Sequence, residues 1–102
     1  MKTYKVRVLQ SAEADIDELA DFLFEKLSRE GAYRYLDFMR QELLSLSVYA
    51  DCFAQTHIKS FLAIHPNARR MLSHNHKWAY VFHIEDDTVF VDRIIPSSLI
   101  NL

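Results

Sequence analysis

Between residues 69 and 77 the chain carries Arg69, Arg70, His74, His76 and Lys77 with no acidic side chain among them, and His83 and Arg93 follow in the next two apolar runs. A guanidinium grips carboxylates and phosphates through paired hydrogen bonds, an ammonium acts as a point charge, and an imidazole exchanges a proton near neutral pH. Such a set could hold an acidic partner, or supply cations together with an acid or base to a reacting group. Each residue also has a plainer role. Arg69 and Arg70 can lie along a sheet edge with their aliphatic stems packed and their charges in water. Arg93 can be held by an acidic residue of the first helix or present its charge on the sheet surface. His83 can be a hydrogen-bonded histidine at the end of a strand.

Metal chemistry is not expected from the spacing. His74 and His76 stand two apart in a turn, and no cysteine or glutamate at ligand spacing joins them and His83 into a zinc set. No cofactor is indicated. Cys52, the single cysteine, has no identifiable base beside it and is expected to be a small buried apolar residue. Trp78 and Tyr80 could stack on a nucleobase, but aromatics at every second position of an apolar run belong to a core.

The elements that position these groups follow from hydrophobic periodicity. Residues 3 to 9, TYKVRVL, alternate Tyr4, Val6 and Val8 with Lys5 and Arg7 and predict a half-buried strand. Ser11 is expected to cap a first helix, with Glu13 and Asp15 in its first turn and Ile16, Leu19, Ala20, Leu23 and Leu27 as its apolar stripe. Gly31, the only glycine, is expected as a left-handed C-terminal cap. After it, Ala32, Leu36, Met39, Leu43 and Leu46 predict a second helix and an αα-hairpin. Residues 48 to 68 lose periodicity and end in Pro66-Asn67, which predicts a loop with room for a short helical piece. Then come a short strand RRML, a turn SHNHK, a strand WAYVFHI, a turn EDD and a strand TVFVDRII. Trp78, Tyr80, Phe82 and Ile84 alternate with Ala79, Val81 and His83, so the middle strand is apolar on both faces and belongs inside a sheet. Strict alternation places Arg93 beside Val89, Val91 and Ile95. The expected fold is two-layer α+β: an N-terminal strand, an αα-hairpin, then a C-terminal antiparallel three-stranded meander.

The bulk properties set outer limits. With 102 residues, half of them apolar, one domain over residues 1–102 is expected. No apolar run approaches the roughly 20 residues that cross a bilayer, the N-terminus lacks a signal-peptide centre, and a cytoplasmic protein away from membranes is expected. A net charge of −2 and a pI near 6.2 exclude the overall basic field of a non-specific nucleic-acid binder.

The segments YKVRVLQSAEADIDELADFL and AYRYLDFMRQELLSL, followed by KWAYVFHIEDDTVFVDRII, together resemble the RelE/ParE superfamily of type II toxin-antitoxin toxins, which includes plasmid-stabilisation proteins. The resemblance spans nearly the whole chain and rests on the order of its elements. It implies a growth-arresting toxin neutralised by a cognate antitoxin, with operator DNA reached only through that antitoxin. It also implies one of two activities. RelE-like members are ribosome-dependent mRNA endoribonucleases, and ParE-like members inhibit DNA gyrase.

Phosphodiester cleavage needs a base for the 2′-hydroxyl, an acid for the leaving oxygen and cations for the developing charge. Here Arg69, Arg70, Lys77 and His83 are the candidates. The RelE-like subgroup carries further Arg and Tyr side chains after its last strand, whereas this chain ends RIIPSSLINL with no Arg, Lys, Tyr or His beyond Arg93. Together with the acidic pI, that departure favours the ParE-like activity, with Arg69, Arg70, Lys77 and Arg93 as target- or antitoxin-binding groups. A member without toxicity that only partners its antitoxin is the remaining alternative.

Overall fold

The computed structural model describes residues 2–99. Residues 100–102 of the tail discussed above lie outside the described residues. Four strands make one sheet: β1 (Lys5–Val8), β2 (Arg69–Leu72), β3 (Trp78–Glu85) and β4 (Thr88–Pro96), in the order β1-β4-β3-β2. The last three form the antiparallel meander. β1 lies parallel to β4, with Lys5 opposite Thr88 and Val8 opposite Val91. Parallel neighbours cannot be joined by a tight turn. The chain therefore passes through α1 (Gln10–Lys26), α2 (Arg29–Tyr49) and the whole meander before β4 returns beside β1.

Apolar spacing decides what each helix buries. Ala12, Ile16, Leu19 and Leu23 of α1 recur every three or four residues, and Ala32, Met39, Leu43 and Leu46 of α2, spaced by seven, four and three, likewise share one helical face. Both stripes pack with Tyr80, Phe82, Val89, Val91 and Ile94 into the main core. The other face of β3 is served separately. Ala79 and Val81 pack with Phe61 of α3 (Lys59–Leu62) and Ala68, and Ile58, Ile64 and Ile95 close the margin. The apolar-on-both-faces pattern of β3 thus reflects helices on one side and the α2–β2 connection on the other.

β4 contains one residue more than its partner. Phe82 pairs with Val91 and Val81 with Arg93, which leaves Asp92 as a bulge. A bulge resets the alternation of side chains. Val89 and Val91 before it face the helices, Ile94 after it does so too, and Ile95 goes to the second cluster. Arg93 therefore shares a side with Ile95 but not with Val89 and Val91, because strict alternation fails at Asp92.

Several helix boundaries also differ from expectation. Leu9 continues the β1–β4 ladder by donating its N–H to the Val91 carbonyl at 3.0 Å, and α1 begins directly after it. Ser11 lies inside the helix and does not cap it. Its hydroxyl instead donates to the backbone carbonyl of the bulged Asp92 at 2.6 Å. Gly31 does not end α1; it lies in the first turn of α2, and its N–H donates to the Ser28 hydroxyl, the real cap, at 3.1 Å. No described glycine has positive φ. Leu27 is exposed, α2 extends through Tyr49, and Cys52 sits exposed in a short 3-10 turn, where the chain leaves the helical layer.

The placement of Gly31 can be checked. A left-handed cap would make Gly31→Ala costly, whereas in a helical first turn the change should shift urea-unfolding stability by no more than about 1 kcal/mol in either direction. The one close neighbour of an added Cβ would be the mobile Ser28 hydroxyl at 3.1 Å.

Candidate functional site

Of the basic and histidine side chains singled out by type, the fold brings only Arg70 and His83 near one another. β2 gives Arg69 and Arg70 to opposite faces of the sheet. Arg69 reaches back to the α2–β2 connection and donates from Nη1 to the Phe53 carbonyl at 2.7 Å, which fixes the approach to the edge strand. Arg70 is half-buried opposite Val81, on the face that also carries His83, and makes no ion pair among the described residues. Lys77 is exposed in the β2–β3 turn, and only its backbone is used: its carbonyl accepts the Ser97 N–H at 2.8 Å. His83 lies six residues further along an extended chain, roughly 20 Å from Lys77. His74 and His76 stay with Lys77 in the turn, so they and His83 sit at opposite ends of β3.

Arg93 is engaged by the first helix. Its Nε and Nη2 donate to the two oxygens of Asp15 at 2.8 and 3.1 Å, and Asp15 also accepts the Ile94 N–H at 2.8 Å. These bonds hold the Arg93 guanidinium charged, its pKa raised chiefly by the hydrogen bond to Asp15. The arginine remains 44% exposed on its side chain. One carboxylate thus ties α1 to the strand just past the bulge.

A second carboxylate ties α2 to the β2–β3 turn. Glu42 accepts the phenol of Tyr80 at 2.8 Å through one oxygen and the His74 N–H at 2.8 Å through the other. Next to it, the Tyr35 hydroxyl accepts from Trp78 Nε1 at 2.8 Å and from Asn75 at 2.9 Å. Burial, then the Glu42 bond, push the Tyr80 phenol far above its ordinary value. These groups floor a largely apolar groove between α2 and the turn, lined by Arg34, Phe38, Met39, His74 and Trp78. Phe38 on its rim is half exposed, and Phe22, Phe24, Leu27 and Tyr33 continue the exposed apolar surface along the helices.

His83 stands at the other end of β3. It is buried, and its Nδ1 lies 2.7 Å from Asp92 Oδ2 while its Nε2 lies 3.4 Å from Glu85 Oε1. The His65 ring stacks on it with centroids 3.6 Å apart and planes within 2°, and Phe90 covers it at 5.2 Å. As a general acid or base, His83 would have to offer Nε2 to a substrate, and Glu85 and His65 cover that approach. Asp15, Glu42, His65, Glu85 and Asp92 were absent from the sequence-derived candidates. Two had a readable sign: an acidic residue of the first helix was a possible partner for Arg93, which Asp15 proves to be, and His83 and Glu85, two apart in a strand, must share a face.

No family model and no curated protein sequence matches the chain. Among solved structures, it is similar to a chain of the structure described as "Chromosomal ParDE TA system from P. aeruginosa", with a TM-score of 0.76 at 16% identity over 92% of this chain and 96% of that one. The fold is therefore ParE-like: an N-terminal strand, two helices and a C-terminal antiparallel meander. No described helix is long and apolar enough to cross a membrane.

Two outcomes follow from the carboxylate ties. Asp15→Ala strips acceptors from Arg93 and Ile94 together and should lower stability by about 1–3 kcal/mol in urea unfolding, with Arg93→Ala costing less because Asp15 keeps the Ile94 bond. Tyr80 ionises near pH 10 when unfolded but not when folded, so its share of stability is complete below about pH 10 and declines above it. In an alkaline titration the Tyr80 phenolate absorbance should appear only as the chain unfolds, and Tyr80→Phe should flatten the alkaline loss of stability.

Proposed function

We propose that this chain is the toxin of a type II toxin-antitoxin system, that it arrests growth by binding and inhibiting DNA gyrase, and that a cognate antitoxin neutralises it. The ParE-like fold is the observation that carries this reading. Two features of the chain support it. The exposed aromatic and aliphatic side chains of α1 and α2, with the groove beside Phe38 and Trp78, make an apolar surface suited to an amphipathic or extended partner segment. With Arg69 on the opposite face and Lys77 at the other end of β3, only Arg70 stands beside His83, whose ring nitrogens face Asp92 and Glu85, which falls short of the joint acid, base and cation that cleavage of RNA would need.

In this reading Arg70 and Lys77, which have no charged partner among the described residues, contact acidic side chains of the antitoxin or the target. Arg69 and Arg93 contribute from positions already anchored by Phe53 and Asp15. Operator DNA is contacted only through the antitoxin.

Induced expression in bacteria should stop growth, and co-expression of the small gene beside this one should restore it. Purified protein should abolish supercoiling by gyrase while translated mRNA stays intact in primer extension. Codon-positioned cuts with unimpaired gyrase would instead identify a ribosome-dependent endoribonuclease. Unimpaired growth with soluble protein and retained antitoxin binding would identify a partner without toxicity.

A further inference from the structure

The surroundings of His83 contain a charge requirement that the side chains alone do not meet in the neutral ring. Asp92 on Nδ1 fixes the tautomer that donates there, which leaves the Nε2 lone pair directed at the Glu85 carboxylate 3.4 Å away. An acceptor then faces an acceptor, and a cation between them would satisfy both. A proton is one such cation. The structure points to another, because a third donor stands at the same place. His65, carried by the connection before β2, lies directly over His83, and one ligand atom from each of His65, His83 and Glu85 falls within 4.8 Å of the other two.

We propose that His65, His83 and Glu85 form a binding site for a divalent cation of the zinc class, with Asp92 as the positioning residue that orients His83. Two imidazoles with one carboxylate suit zinc and its neighbours better than calcium or magnesium, which prefer oxygen donors. Three protein ligands leave a fourth position to water. The Asp92–His83 pair has the arrangement usual behind a metal-bound histidine, in which the second ring nitrogen donates to a carboxylate.

Asp92 follows Val91 by plain alternation onto the face that bears His83 and Glu85, and the bulge leaves it there without a pairing partner. His83 is fixed, and the other two ligands supply the adjustment. Donors around zinc stand roughly 3.5 Å apart, so the cluster contracts on loading. The Glu85 side chain is 61% exposed and free to move in. The His65 ring turns out of its parallel stack, giving up the bond in which its Nδ1 accepts the Asn67 N–H at 3.1 Å. Loading would fasten the α2–β2 connection to the outer face of the sheet, far from the apolar groove at the other end of β3.

The test is a zinc titration of the purified full chain after chelator treatment, followed by calorimetry and thermal unfolding, with cobalt(II) absorption as a second probe of tetrahedral coordination. One equivalent of zinc should bind and raise the unfolding midpoint. His65→Ala and Glu85→Gln, both at solvent-accessible positions, should each weaken binding at least tenfold, and Asp92→Asn should weaken it by roughly 10- to 100-fold. The double variant His74→Ala/His76→Ala should bind as the parent does. Absence of zinc binding by the parent chain, affinity unchanged in His65→Ala and Glu85→Gln, or affinity lost only with His74 and His76 would each overturn the proposal.

Discussion

One additional residue in β4 determines how the two faces of the sheet are used. Without the bulge at Asp92, alternation would carry the same set of side chains to the same side along the whole strand. With it, β4 supplies Ile94 as well as Val89 and Val91 to the helical core and Ile95 to the second cluster. The unpaired stretch of backbone is not left without partners. Ser11 donates to the Asp92 carbonyl and Asp15 accepts the Ile94 N–H, so α1 serves the bulge as well as covering the sheet. The seating of the first helix and the irregularity of the last strand are one structural solution.

Each helix brings one carboxylate that accepts several bonds from the sheet or its turn, Asp15 for α1 and Glu42 for α2, with Ser11 and Tyr35 adding a tie apiece, while apolar stripes supply the bulk of the contact. Apolar burial has little directional preference, whereas a carboxylate that accepts two or three bonds admits a narrow range of positions. The stripes therefore hold the helices on the sheet and the carboxylates set their rotation. That rotation leaves Phe22, Phe38 and Tyr33 outward, and the surface offered to a partner is a result of it.

Much of the fold was legible in the sequence because periodicity is a local property. The four strands, the two long helices and the two-faced burial of β3 all followed from the spacing of apolar residues. The errors arose where a residue's partner lies far along the chain or where a neighbouring residue takes the role that its type suggests. Ser11 resembles a cap in its own neighbourhood but bonds Asp92, and Gly31 resembles a terminator although Ser28 is the residue that starts the next helix. Cys52 was assigned to the interior by its chemical type, yet it falls where the chain leaves the helical layer. The candidate basic residues were chosen by charge, and charge alone does not specify a face. The cluster around His83 needed the strand register that sets Asp92 beside it, and His65, which reaches it from the connection before β2.

The parallel pairing of β1 with β4 bears on how the molecule comes into being. β1 has no sheet neighbour until β4 has been synthesised, because Lys5 to Val8 pair only with Thr88 to Val91. Contacts closed over such a span are slow to form. A ribosome that stalls before β4 releases an open half-sheet with Val89, Val91 and the Arg93 anchor missing from it. Native structure, and any activity that depends on it, is thereby confined to chains translated through the end of the meander.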